Sequence, residues 1–236
     1  MTLLEIIKYL RTSILDDTGG SGVIWEDITD EDAASAQLRW SNEELTSFIN
    51  EAFRKAHRSS YLLKEYGNND FDISVVVGTS TYSIDRRIIK LLGIRSSGED
   101  TSLDPLEIED IFHIAGWNTK TGTPTHYIID YNTNKVTLYP QPEVTDTLNL
   151  MYYREELKQL DWTKNSASPE IDDRFIISAL NYAAYLAYLK DEANALDPDK
   201  SDKHLILFQS DFSNNSTYTE TRRQRSSHRG VRYGGY

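Results

Sequence analysis

Apolar residues recur at helical spacing near the start of the chain and again from residue 45. The first stripe predicts an amphipathic helix over residues 2–15, which ends at the glycine-rich stretch 16–22. Ser41 followed three residues later by Glu44 has the spacing of a capping box, so a second helix is predicted from residue 41 to Gly67. The two stripes are Leu3, Ile7, Leu10 and Ile14, and then Leu45, Phe48, Ile49, Ala52, Phe53, Ala56 and Leu63.

Between residues 70 and 155 the apolar spacing changes from helical to alternating. Alternation over 71–77, a turn at 78–80 and a second segment at 81–84 predict a β-hairpin. Four more strands are predicted at 88–94, 126–130, 136–139 and 148–152, and a short helix is predicted after Asp104-Pro105. This region therefore indicates an antiparallel β unit of about five to seven strands.

Helical spacing returns after Pro169, with a broad face rich in alanine between Phe175 and Leu189. Asp197-Pro198 predicts the start of a last helix. The helices on either side of the β unit must pack on each other, because their apolar faces are too wide to remain in water. The predicted fold is α+β, a helical bundle interrupted by an antiparallel β insertion. The predicted segments are 1–66 and 159–213 for the bundle, 67–158 for the insertion and 214–236 for an extended basic tail.

Charge is distributed unevenly along the 236 residues. The net charge is −12, with 37 acidic and 25 basic side chains. Residues 221–236 hold five arginines and no acid, so they carry +5 and the rest of the chain carries −17. An acidic body repels DNA and membrane surfaces, whereas a short basic end is typical of an interaction segment. No apolar run approaches the ~18 residues needed to span a bilayer.

Motifs that could carry catalysis or hold a metal are weak. The chain has no cysteine, which excludes disulfides, thiolate catalysis and cysteine-based metal sites. Asp17-Thr18-Gly19 has the residues of an aspartic-protease loop, but it follows a predicted helix instead of a strand. Asp197, Asp199 and Asp202 lack the glycine and glutamate of a calcium loop, so a helix cap is favoured. His57 is interpreted as a residue of a polar helix face. The sequence predicts no enzyme and no cofactor.

The basic end of the chain supports two interpretations. Its composition is typical of a disordered, solubilising terminus. Alternatively, arginine forks and tyrosine rings bind an acidic surface or nucleic acid. The candidate docking residues are Arg222, Arg223, Arg225, Arg229, Arg232, Tyr233 and Tyr236.

Four segments of the chain together resemble a known family. In order they are LRWSNEELTSFINEAFRKAHRSS (38–60), VVVGTSTYSIDRRIIKLLGIR (75–95), GTPTHYIID with KVTLYPQPEVTDTLNLMYYRE (122–130 and 135–155), and PEIDDRFIISALNYAAYLAYLKDE (169–192). In these segments the chain resembles the head-to-tail adaptor (connector) proteins of short-tailed bacteriophages, which form a ring next to the portal.

The resemblance implies a structural protein of the virion neck, assembled in the cytoplasm of the bacterial host. It implies a homo-oligomeric, dodecameric ring joining the portal protein to the tail nozzle or tail tube protein. The bundle would form a channel through which DNA passes without specific binding, and the C-terminal extension would reach into the portal. No membrane is implied.

Three further hypotheses remain open at the level of sequence. Helix faces around 41–65 and 172–192 pack neighbouring subunits into a closed ring. The acidic body lines the channel and repels phosphate. The alternatives to an adaptor are a nucleic-acid-binding or protein-docking module acting through the tail, and an enzyme such as a cell-wall hydrolase.

Overall fold

The chain divides into two compact units, one helical and one built on strands. The computed structural model describes residues 1–17, 38–130, 133–190 and 196–227, with side chains as far as residue 212. Met1–Leu62 and the chain from Glu156 onward form the helical unit, and Leu63–Glu155 form the β unit. The predicted α+β class is confirmed. The insertion spans 63–155, against the 67–158 expected from the sequence.

The first predicted helix is present, but it changes geometry halfway. Helix α1 spans Leu3–Tyr9 and begins with a capping box between Thr2 and Glu5. The chain then continues as a π-helical segment, Leu10–Leu15, and ends at Asp16, whose φ of 51° is left-handed. Leu3, Ile7 and Leu10 are buried and Ile14 packs, partly buried, against the same core, so the predicted amphipathic stripe faces the core.

The second helix starts where the capping box places it and ends earlier than predicted. Helix α2 spans Asn42–Ser60, and Ser41 Oγ accepts a hydrogen bond of 3.1 Å from the Glu44 N–H. Tyr61 adopts a left-handed φ of 52°, which ends the helix. Strand pairing from Leu63 onward competes with the helix there, so the prediction of a helix up to Gly67 is wrong.

Two long helices complete the helical unit. Helix α4 spans Asp173–Tyr188 and helix α5 spans Pro198–Ser227. Helices α2 and α4 bury their apolar faces in one core, as predicted. The backbone of α5 is helical as far as Ser227, because no glycine or proline interrupts the chain between Pro198 and Gly230. Residues 214–227, expected to be extended, therefore belong to a helix. The fully buried core side chains include Leu45, Ile49, Phe53, Ile176, Leu180 and Ala183.

The β unit contains more strands than the sequence predicts. One short helix, α3, spans Ile108–Ile111 and confirms the helix predicted after Asp104-Pro105. The strands are β1 Leu63–Tyr66, β2 Ile73–Val75, β3 Thr81–Ser83, β4 Ile88–Ser96, β5 Ser102–Pro105, β6 Thr121–Gly122, β7 His126–Asp130, β8 Lys135–Tyr139, β9 Gln141–Pro142 and β10 Asp146–Arg154.

Strand pairing in the β unit is mostly long-range. The main sheet has the order β1-β10-β4-β5-β7-β8-β3, and β2 also pairs with β10. The predicted hairpin of residues 71–84 is wrong, because β2 pairs with β10 and β3 pairs with β8. Strands β5 and β7 pair in parallel, so the main sheet is mixed and not wholly antiparallel, and β6 and β9 form a separate two-stranded parallel sheet.

None of the helices in the described part of the chain combines the length and apolar character that a membrane crossing requires.

Candidate interaction surfaces

The predicted docking residues lie at the end of α5 and beyond it. Arg222, Arg223 and Arg225 belong to the helical backbone of α5, and their side chains lie outside the described part. The other four, Arg229, Arg232, Tyr233 and Tyr236, lie outside the described residues altogether. The structure therefore describes the part of α5 that precedes the basic segment. We call residues 198–212 the root of α5, and their contacts with the rest of the helical unit are described.

Polar contacts fix the root of α5 to the rest of the helical unit. Ser201 Oγ donates a hydrogen bond of 3.1 Å to the Tyr185 carbonyl, and Ser60 Oγ donates one of 2.7 Å to the Phe212 carbonyl. His204 Nδ1 and Asn181 Oδ1 lie 2.9 Å apart. Burial lowers the pKa of His204, with a smaller contribution from the Lys203 and Lys200 charges, so this contact involves a neutral ring near pH 7.

Aromatic rings pack the same root against α4. The ring centroids of Phe208 and Phe212 are 4.6 Å apart, those of Tyr182 and Phe208 5.0 Å, and those of Phe175 and Phe212 6.4 Å. Phe208 and Phe212 are almost completely buried. Such offset and tilted pairs stabilise beyond their area of burial, so the first half of α5 belongs to the core of the unit.

The β unit carries an exposed valine loop at one end of β10. Val76, Val77 and Val144 are each more than half exposed. The Tyr82 hydroxyl holds the loop, since it accepts from the Val76 N–H at 3.0 Å and lies 2.7 Å from the Thr79 carbonyl. Sequence reasoning missed this surface, although three consecutive valines at 75–77 break the alternation that a half-buried strand requires.

A second exposed apolar segment surrounds α3. Ile111 is buried against Ile128 and Tyr139, which anchors the segment. Phe112 is 67% exposed and contacts the Trp117 ring edge-on, with 5.7 Å between the centroids. The acidic side chains of this segment are all exposed. They are Asp104, Glu107, Glu109 and Asp110.

These surfaces suit contacts with other macromolecules, and a comparison with family models identifies the chain. The model described as "SU10 adaptor protein" matches residues 1–232. The chain belongs to the SU10 adaptor family. No curated protein matches this adaptor. Membership makes it a bacteriophage adaptor with a structural role, a component of the virion that contacts other head or tail components.

That structural role implies a non-enzymatic protein. Asp17 does not present a free carboxylate, because it forms a buried ion pair with Arg11 and accepts from the Arg39 N–H at 2.9 Å. Asp197 caps α5, as predicted, by accepting from the Lys200 N–H at 3.1 Å. No group of acidic or histidine side chains within the described ranges is arranged to hold a metal ion.

The interpretation of His57 as a polar-face residue is wrong. Its side chain is completely buried in the last turn of α2. Its Nε2 lies 3.6 Å from Oε1 of Glu156, which is also buried. Neither ring nitrogen has a hydrogen-bond partner among the described residues. The adaptor therefore holds two titratable groups in its core where the chain re-enters the helical unit.

Proposed function

We propose that this chain is the head-to-tail adaptor of a short-tailed bacteriophage, whose copies form a ring that joins the portal to the tail nozzle and continues the DNA channel. The family match over residues 1–232 carries this proposal. Helix α5 is packed in the core as far as Phe212, and the chain then continues into a segment with five arginines. This arrangement supports a docking role for the C-terminal segment. A dodecamer is the expected assembly.

Subunit contacts in the proposed ring use outward helix faces. The inward faces of α2 and α4 are occupied within the chain, because Ile49, Phe53 and Ala183 are completely buried. Neighbouring copies are therefore left with residues such as Ile177 and Ile206, which are 48% and 64% exposed. Light scattering on the purified chain, alone and mixed with the portal protein, tests self-assembly. A monomer in both samples would contradict the ring.

The C-terminal segment docks on the portal in this proposal. Helix α5 continues for residues 213–227 beyond the buried Phe212, a length of roughly 22 Å at 1.5 Å per residue. Arginine forks bind carboxylates bidentately, and each hydrogen bond to a charged group contributes about 1.5–3 kcal/mol. Arg222, Arg223, Arg225, Arg229 and Arg232, with Tyr233 and Tyr236, are the proposed contacts.

Deletion of residues 217–236 tests the docking role. The truncation removes the last helical residues of α5 but keeps Phe208, Phe212 and the Ser60 contact, so we expect an unchanged melting temperature and a loss of portal binding. A matched variant with all five tail arginines replaced by lysine keeps the charge but removes the planar fork. Portal binding by the truncated chain would refute docking. If the truncated chain does not bind but the lysine variant does, the tail acts through its charge alone and not through arginine forks.

The acidic body of the adaptor repels the DNA that passes through the channel. With −17 outside residues 221–236, the chain as a whole opposes phosphate contacts. We therefore expect the intact chain not to bind duplex DNA at physiological salt, although the isolated tail does. Salt-dependent DNA binding by the intact chain would favour the nucleic-acid-binding alternative.

A further inference from the structure

The half-exposed face of the main sheet of the β unit contains an apolar groove whose floor is a glycine. Tyr66, Met151 and Gly93 are directly paired across β1, β10 and β4, so their side chains share one face. Arg95 and Asn149 form the next row on the same face. Together with Leu92, Pro105 and Tyr127 these residues line a hollow of about 460 Å³.

Gly93 lies beside a register shift between β4 and β10, but neither a positive φ nor a lack of space requires glycine there. The φ of Gly93 is not positive, so its backbone conformation is open to other residues. A β-carbon built there would meet only Met151 Cε at 3.8 Å, an ordinary van der Waals contact. Glycine inside a strand weakens the strand and often marks the close approach of another chain or a ligand. The absence of a side chain at Gly93 therefore leaves space on the groove floor for a side chain of another molecule.

The α3 segment supplies a projection of matching character. Ile108 and Phe112 are 53% and 67% exposed, and the buried Ile111 between them fixes their position. Glu107, Glu109 and Asp110 surround them, all exposed, and none has an ion pair with another residue in the described ranges. An ordered aromatic and aliphatic pair ringed by carboxylates fits an apolar hollow with a basic rim.

The rim of the groove carries basic side chains. Lys64 is exposed on the same face as Tyr66, one row along, opposite Tyr153 and Lys90. Arg95 lines the groove and forms an ion pair at 2.7 Å with Asp100, which is itself 84% exposed. The exposed side chains of Lys64 and Lys90 therefore give this edge of the groove a positive charge, which favours an acidic occupant.

We infer that the α3 segment of a second copy of this chain docks in the Gly93 groove, with Ile108 and Phe112 over Gly93 and the carboxylates toward Lys64 and Arg95. The projection and the groove consist of different residues, although Leu92, Pro105 and Tyr127 border both. In the proposed ring each copy inserts its α3 segment into one neighbour and receives that of the other neighbour, a heterologous contact that repeats from copy to copy. The inference rests on the proposed ring and deepens it, because it gives the β unit a part in subunit contact.

Single cysteines test this contact directly, because the natural chain has none. One full-length variant carries Gly93→Cys and a second, with a size tag, carries Ile108→Cys, so that Phe112 stays in place. After assembly with portal protein and mild oxidation, we expect a disulfide-linked heterodimer on a non-reducing gel. Gly93→Cys mixed with Leu196→Cys, whose side chain is 50% exposed but lies in the helical unit just before α5, is the matched control and should give no heterodimer.

The Gly93→Leu variant gives a second readout that does not depend on disulfide chemistry. Leucine fills the groove, so we expect an intact monomer by circular dichroism and a loss of assembly by light scattering. If light scattering shows the wild-type ring while the Gly93/Ile108 pair gives no more heterodimer than the control, the inference is wrong and the proposed function stands. If the wild-type chain remains a monomer with the portal, the proposed ring fails together with it.

Discussion

Replacing Asp17 with alanine should destabilise the helical unit strongly, because it removes the carboxylate from a buried ion pair. The Arg11 guanidinium is 1% exposed and the Asp17 carboxylate 3%. Arg11 also donates to the Trp40 carbonyl at 2.6 Å and to Asn42 Oδ1 at 3.0 Å. These contacts fasten the end of the π-helical segment to the start of α2, although more than twenty residues separate them in the sequence.

The expected loss follows from burial. Removing one partner of a buried ion pair costs about 3–5 kcal/mol, because the remaining charge stays in a region of low dielectric. The Asp17 carboxylate also accepts from the Arg39 N–H, and that hydrogen bond is lost as well. In a chain of this size, 1 kcal/mol shifts the melting temperature by roughly 2–4 °C, so a decrease of about 6–20 °C is expected.

Differential scanning calorimetry of the full chain measures this decrease. Asp161→Ala is the matched control, because Asp161 lies in an ion pair with Lys164 whose side chains are 44% and 71% exposed. Such an exposed pair contributes at most about 1 kcal/mol. The double variant Arg11→Met/Asp17→Ala should lose less stability than Asp17→Ala, because no charge remains buried. Equal melting temperatures for Asp17→Ala and Asp161→Ala would refute the role of the buried pair.

Three other predictions follow from single contacts. Ser41→Ala removes the cap of α2 and should cost about 1 kcal/mol in chemical denaturation, whereas Ser210→Ala on the exposed face of α5 should cost nothing measurable. Gly78→Ala, at a φ of +76°, should cost about 1 kcal/mol, whereas Gly93→Ala should leave the thermal stability of the unassembled chain unchanged or raised. Burial opposes ionisation of Glu65, but the Arg154 guanidinium and hydrogen bonds from Asn68 and Tyr152 outweigh it and lower its pKa. The stability that this pair gives the β unit is therefore present above the ordinary value of 4.5 and is lost as the pH falls through the lowered pKa. Glu65→Gln should therefore reduce the pH dependence of the free energy of unfolding in urea between pH 5 and pH 3, followed by Trp117 fluorescence. An unchanged slope against pH would contradict the assignment.

Local signals in the sequence were sufficient to place the starts of α2 and α5. The Ser41–Glu44 capping box and the Asp197-Pro198 start each act within one turn, so neighbouring residues determine them. The α2 terminus was misplaced because Leu63 pairs with Arg154, and no local signal near residue 60 contains that partner. The hairpin failed for the same reason, since Ile73 pairs with Leu148.

The candidate surfaces likewise include features that the sequence shows and features that only the folded chain determines. The unequal distribution of charge was visible in the sequence, and so were the acidic side chains around α3. Exposure of Phe112 and burial of His57 were not, because helical spacing fixes which residues share a face but not what that face contacts. The groove at Gly93 depends on the register of three strands, and register is a property of the folded sheet.

The helical state of residues 214–227 changes the energetics of the proposed docking. An extended tail of residues 214–236 would lose conformational entropy along its whole length when it binds, at roughly 1–2 kcal/mol per residue for the backbone. Since α5 continues to Ser227 from a root fixed by Phe208 and Phe212, part of that cost is met when the chain folds. Arg222, Arg223 and Arg225 then need little backbone ordering to meet an acidic surface. Replacing these three arginines together with alanine should therefore weaken portal binding.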